Sequence, residues 1–151
     1  MGAPLLQAKI DIAAPPAEVW ALISDLTKMP QWSPQCRSMK VLGPMRVGAK
    51  TLNFNRRGRM FWPTTSTVTE IDPERALTFR VAANGTEWSF ELEPIEGGTR
   101  VVESRRAPNG VKKMSSAVVN VAFGGVPSFE DELVDGMNET LSRIKAAAER
   151  G

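Results

Sequence analysis

The sequence predicts an α+β domain: an antiparallel sheet of about seven strands, two short helices after the first strand, and one long helix at the C-terminus. Three observations predict it. The step Pro15-Pro16 ends an alternating N-terminal segment and opens an amphipathic one. From about residue 37 to residue 106 the hydrophobic pattern has period two and is cut by turn dipeptides. Beyond Ser128 the pattern changes to helical spacing, and a change of period marks a change of element type.

Residues 5–13 alternate and read as the first strand. Pro16 then begins a helix over about 16–24, since proline's fixed φ suits a first turn and its missing N–H costs nothing there. Val19, Trp20, Leu22 and Ile23 supply the apolar face. Residues 27–33 read as a second short helix ended by Pro34. Strands follow near 37–43, 48–55, 60–71, 76–83, 87–94 and 99–106. Gly43-Pro44, Arg57-Gly58, Asp72-Pro73, Asn84-Gly85 and Gly97-Gly98 separate them, and Asn84-Gly85 and Gly97-Gly98 suit tight hairpins. Ser128 and Asp131 have the spacing of a capping box, with Asp in place of the usual Glu. Phe129, Leu133, Met137, Leu141 and Ile144 then form one apolar stripe reaching to about Arg150. Met114 to Phe129 holds no charged residue. It reads as the start of the long helix or as a lid hinged at Gly124-Gly125, with a peripheral membrane contact as a further alternative. It is too short and too interrupted for stable membrane insertion.

A chain of 151 residues fits one domain, 1–151, with a sizeable core. The net charge of +2 does not suggest a nucleic-acid partner. A lone cysteine, Cys36, rules out an internal disulfide. With no signal-peptide pattern at the N-terminus, this fits a cytoplasmic, reducing compartment. The chain has no His and no Tyr. Ser-His-Asp and Cys-His catalysis and His-ligated metals are therefore excluded, and no metal or cofactor is expected. Acid–base chemistry is left to carboxylates, Lys, Arg, Cys36 or water.

The stretch Ile10 to Asp25, continued by Met29-Pro30-Gln31-Trp32-Ser33-Pro34, resembles the opening of the polyketide cyclase/dehydrase and lipid-transport group of the START-like, Bet v 1-like superfamily. Further pieces of the resemblance are Val47-Gly48-Ala49, Asn55-Arg56-Arg57-Gly58-Arg59 with Trp62, Val68-Thr69-Glu70-Ile71-Asp72-Pro73, Gly98 to Ser104, and Gly136-Met137 ahead of Thr140-Leu141. It covers nearly the whole chain. It implies the helix-grip fold, in which a curved sheet wraps a long C-terminal helix and leaves a ligand cavity between them. The superfamily includes cyclases, lipid carriers, hormone receptors and quinone-binding proteins, and fold alone does not fix function.

Strand alternation sorts the faces. Trp88, Phe90 and Leu92 share an inner face, as do Leu77, Phe79 and Val81. Met60, Trp62, Thr64, Ser66, Val68 and Glu70 share the inner face of the long strand. Near 50–55 two registers compete: Leu52 and Phe54 argue for one, while the resemblance favours Thr51, Asn53 and Asn55 inward, the reading adopted. Trp32, Trp62 and Trp88 are either core or cavity wall. The C-terminal region adds Phe123, Phe129, Leu133 and Met137 as candidate ligand contacts. If Val101 faces inward, so do Glu103 and Arg105. Glu103 is then a general acid or base, a ligand anchor, or half of an ion pair. Asn55 and Ser66 are candidate polar contacts to a ligand. The Arg56-Arg57-Gly58-Arg59 and Arg105-Arg106 clusters read first as solvated turn charges. Their alternatives are a contact to an acidic headgroup, a carrier-protein arm or RNA.

The expected function is binding of a hydrophobic small molecule (a lipid, polyketide, isoprenoid or aromatic compound) by a monomer or homodimer. For an enzyme, the resemblance implies cyclisation or dehydration of a poly-ketone. Glu103 would then be the acid or base, Asn55 and Arg105 the oxyanion partners, and the tryptophans the mould. The alternatives are a non-catalytic carrier or sensor and a protein- or ribosome-interacting module.

Overall fold

The computed structural model describes residues 5–83, 85–107 and 126–150, the first four residues of the last segment by backbone alone. The seven strands are β1 (Leu5–Ile12), β2 (Cys36–Leu42), β3 (Lys50–Arg57), β4 (Met60–Asp72), β5 (Ala76–Val81), β6 (Glu87–Ile95) and β7 (Gly98–Arg106). They form one antiparallel sheet in the order β1-β7-β6-β5-β4-β3-β2. Helices α1 (Pro16–Ile23) and α2 (Met29–Trp32) lie between β1 and β2, joined by a 3₁₀ turn at Leu26–Lys28, and α3 (Val126–Glu149) closes the chain. The element order and the sheet are those expected from the sequence.

Local chemistry sets these boundaries. Pro15 is the N-cap of α1 and Pro16 its first residue, where an absent N–H leaves no hydrogen bond unmade. The Asp25 carboxylate caps the 3₁₀ turn, accepting from the Thr27 N–H at 3.1 Å. Two turns differ from expectation. The β6–β7 hairpin turns through Glu96 and Gly97, with Gly97 at φ 80°, and Gly98 already pairs with Ile95. Gly98 is needed for a separate reason: a Cβ there would lie 1.9 Å from the carbonyl oxygen of Ile12. Between Val81 and Glu87 the connection is longer than a tight hairpin, and Asn84 lies outside the described residues. In α3, Ser128 lies inside the helix rather than at its cap, because the helix already includes Val126 and Pro127. A first-turn proline again costs no hydrogen bond.

The C-terminal half of α3 is the gripped part. Leu141, Ile144 and Ala148 are buried in one core with Ile12, Val19, Ile23 and Val101. Side-chain bonds fasten this end to the β1–α1 corner: Glu149 accepts from the Ala13 N–H at 2.8 Å, and Lys145 donates to the Asp11 carbonyl at 3.0 Å. With that half committed to β1 and α1, a space is left between the inner face of the sheet and the first half of α3. The cavity forms there.

Alternation predicts most faces. Thr51 and Asn53 are buried while Leu52 and Phe54 are exposed, which settles the register of β3 as adopted. Glu70 departs from the expectation. A β-bulge at Thr69, between the pairs Val68–Phe79 and Glu70–Thr78, inserts one residue and reverses parity beyond it. Glu70 therefore faces outward and accepts from the Thr78 hydroxyl at 3.1 Å, and Ile71 packs on the core instead.

Candidate functional site

A cavity of about 530 Å³ lies between the inner face of β3–β7, α2 and the first half of α3. Trp62, Phe79, Trp88 and Phe90 wall it from the sheet, and Leu133 and Met137 from α3. Asn55, Glu103 and Arg105 also line it. These nine are among the residues picked out from the sequence. Two others lie elsewhere. Trp32 is buried in the core, its indole nitrogen without a hydrogen-bond partner. Ser66 is buried in a hydroxyl–hydroxyl contact with Thr51. Phe123 lies outside the described residues, as does the side chain of Phe129.

One wall is polar and hydrogen-bonded within itself. Thr51 donates to Asn53 Oδ1 at 2.8 Å, and Asn53 Nδ2 donates to Thr64 Oγ1 at 3.2 Å. Asn55 Nδ2 donates to the same Thr64 hydroxyl at 3.1 Å and to the Trp62 carbonyl at 3.3 Å. Both printed contacts of Asn55 Nδ2 thus run to groups of β4. Thr64 accepts twice and keeps its own hydrogen as a donor.

The opposite wall is different. Glu103 sits on β7 between Ala8 of β1 and Phe90 of β6. It is 6% exposed, and its Oε1 has no hydrogen-bond partner. Burial alone pushes its carboxyl well above the ordinary value of 4.5, because the charged form loses hydration that nothing replaces. Arg105, two residues on, is equally buried but turns to α3, where its guanidinium meets Glu130 Oε2 at 3.2 Å. Burial thus favours the protonated form of Glu103, and the buried ion pair joins Arg105 and Glu130.

At the rim, Arg57 at the end of β3 makes a bidentate pair with Glu132 of α3, both contacts 2.6 Å. Gln35 adds a contact of 3.4 Å to the same carboxylate. The guanidinium holds Glu132 below the usual carboxylate range, and the carboxylate raises Arg57 in turn. The pair is partly exposed and joins the β3–β4 hairpin to the helix beside the opening. Cys36 also lines the cavity, its thiol pushed up to about 11 by burial. Among the described residues no cluster of acidic, Cys or His side chains could hold a metal ion, and no helix is long and apolar enough to cross a membrane.

Glu130 and Glu132 were missed in the sequence, and Asn53 and Thr64 were placed on the inner face without being named as site residues. The first two fall between the apolar positions of the α3 stripe and look like ordinary solvent-facing charges until Arg57 and Arg105 are placed opposite. Asn53 and Thr64 share the inward parity of Asn55 and Trp62, so alternation alone could have named them.

A seven-stranded antiparallel sheet gripping the end of a long C-terminal helix, with a cavity left under its first turns, is a helix-grip α+β fold. The chain belongs to the polyketide cyclase / dehydrase and lipid transport family, whose model matches residues 4–149. No curated protein is significantly similar in sequence. Among solved structures, the Polyketide_cyc-like protein of Corynebacterium glutamicum is 27% identical, with a TM-score of 0.67 over 96% of this chain and 91% of that one. A Thermus thermophilus protein matches with a TM-score of 0.70 at 17% identity, covering 96% of this chain and 99% of its own. The di-domain aromatase/cyclase of the steffimycin biosynthetic pathway has a TM-score of 0.77 at 12% identity; 97% of this chain matches 51% of that protein. The last two likenesses show the fold.

Proposed function

We propose that the protein binds a hydrophobic small molecule whose apolar body fills the cavity and whose hydrogen-bond acceptor, such as a ketone, meets the protonated Glu103. One observation carries this reading: the aromatic-walled cavity contains a buried carboxyl with an unpartnered oxygen. A buried polar group without a partner costs about 1–3 kcal/mol, and a ligand carbonyl removes that cost. The volume lies within the range of small-molecule sites, about 300–1,000 Å³. The Thr64 hydroxyl is a second donor on the opposite wall.

The neutral state of Glu103 also supports a catalytic reading in the class named for the family. In dehydration of a bound β-hydroxyketone, the Glu103 proton goes to the leaving hydroxyl as the C–O bond breaks and water departs. The resulting carboxylate takes the α-proton as the C=C bond forms, which restores the acid. The aromatic walls hold the reacting chain in one fold, which lowers the entropic part of the barrier.

Native mass spectrometry of freshly purified protein, with organic extraction of any bound molecule, tests the binding reading. A bound lipid, polyketide or aromatic compound is expected. In Leu133→Trp, the larger side chain fills the half-buried site and the adduct should vanish. An adduct that survives the substitution places the ligand elsewhere and sinks the proposal. Turnover of a true substrate unchanged in Glu103→Gln would remove the catalytic reading and leave the binding one standing.

A further inference from the structure

The 44 residues between Asp25 and Glu70 contain eight Lys or Arg and no carboxylate, leaving 11 basic against 17 acidic residues elsewhere. A chain with a net charge of only +2 thus concentrates its positive charge on β2, β3 and the turns that flank them. The register puts much of it on one surface. On the outer side of β3 the column is Lys50, Leu52, Phe54 and Arg56, opposite in position to the inward Thr51, Asn53 and Asn55. Lys40 of β2 pairs with Leu52, and Leu42 with Lys50; Phe61 of β4 pairs with Arg56. Leu42, Leu52, Phe54 and Phe61 are 59%, 48%, 42% and 52% exposed. Phe54 stacks on Phe61 with centroids 5.7 Å apart, and the Arg56 guanidinium lies 5.3 Å from the centre of the Phe61 ring.

We infer that this outer face of β2–β4 docks on an anionic lipid bilayer. Its composition is that of an interfacial surface: exposed aromatic and leucine side chains to enter the headgroup layer, with cationic side chains interleaved to meet the lipid charge. A protein partner fits less well, because lysine is depleted from protein–protein interfaces and Lys40 and Lys50 both lie within the patch. The position also has a use. Arg56, Arg57 and Gly58, at the hairpin end of the face, line the cavity. Docking would bring the opening beside the bilayer, the source of the apolar ligand. That use rests on the function proposed above; the docking itself does not.

Co-sedimentation with phosphatidylcholine vesicles, with and without phosphatidylglycerol, is the test. Binding is expected only to the anionic vesicles and is expected to fall as salt is raised. Lys40→Gln with Lys50→Gln should weaken it roughly 30-fold, about fivefold for each charge at the surface. Phe54→Ser with Phe61→Ser should also abolish sedimentation. These positions are exposed, so unchanged urea midpoints establish that the variants fold. Failure of the native protein to bind anionic vesicles at low salt overturns the inference. So does undiminished binding of either double variant, or capture of a polyanion such as RNA in place of vesicles. Leu133→Trp, which blocks the cavity from the other side of the sheet, should sediment like the native protein. Loss of ligand binding and loss of membrane binding are thereby read separately.

Discussion

Glu103→Gln should change how stability depends on pH, and the direction follows from burial. In the folded protein the carboxyl is 6% exposed, and burial alone raises it well above 4.5. In the unfolded chain it titrates as an ordinary glutamate. Between these two values the folded state binds a proton that the unfolded state has released, so stability falls as pH rises across that window. The slope for one proton is a tenfold change in the folding equilibrium per pH unit. Below the unfolded value both states are protonated and the effect is absent. Glutamine has nearly the same shape and no proton to lose, so the variant should gain on the native protein tenfold per pH unit from about 4.5 up to the raised folded-state value, and no further beyond it. Other carboxylates move the opposite way. Asp11 is lowered by the hydrogen bond from Arg100, Glu132 by that from Arg57, and Glu149 by that from the Ala13 N–H. Their stabilisation is lost as pH falls, but equally in both proteins, so it cancels in the difference. Urea unfolding of the pair at several pH values between about 4 and 8, from ordinary carboxyl titration to just above neutrality, measures it. Parallel stability curves would show that Glu103 is solvated or paired, and would refute both the neutral-acid assignment and the function built on it.

Cys36 should react slowly. Raising its thiol from 9.0 to about 11 reduces the thiolate fraction at neutral pH about a hundredfold, and the thiolate is the nucleophile. Iodoacetamide labelling of the native protein should lag the urea-unfolded protein by at least that factor, and equal rates would disprove the burial. Thr51→Val keeps the shape of the side chain but strands Asn53 Oδ1 and the Ser66 hydroxyl, both now bonded to Thr51. The expected loss is about 1–3 kcal/mol, read from the urea midpoint, and an unchanged midpoint would show that water replaces the lost bonds.

Much of this was legible because β-strand parity is a strict code. Trp88, Phe90, Phe79, Trp62, Glu103 and Arg105 were placed on the cavity side by counting in twos from apolar neighbours. The same code failed at Glu70, because the bulge at Thr69 leaves no mark in the sequence. It also could not separate Ser66 from Thr64. Both face inward, but one lies under the gripped core and the other under the cavity, a distinction set by where α3 crosses the sheet. Trp32 shows the same limit for a helix: its burial was foreseeable, but which side of α2 meets the cavity depends on the angle at which the helix docks. The ion pairs were hidden for a different reason. Arg57 to Glu132 and Arg105 to Glu130 join residues 75 and 25 positions apart, and charge pattern along a chain reports only neighbours. Glu103 was left open between an acid and an ion-pair member until Arg105 was seen to turn towards α3.

The division of polar groups within the cavity argues for the direction in which a ligand lies. On the β3–β4 wall Asn53 and Asn55 both donate to the Thr64 hydroxyl, so much of that wall's polar capacity is used within the sheet. On the β7 wall Glu103 is held in an apolar niche without a hydrogen bond to Oε1, a state that folding alone does not reward. Linkage then works in both directions. A ligand that accepts from the protonated carboxyl stabilises the folded protein, and the same bond, made only by the protonated form, raises the carboxyl further. An anionic ligand head would need a cation there, and the nearby guanidinium of Arg105 already meets Glu130. On the function proposed above, the expected ligand is a neutral carbonyl compound rather than a fatty acid carboxylate oriented towards β7. That expectation follows from the burial of one carboxyl in the fold.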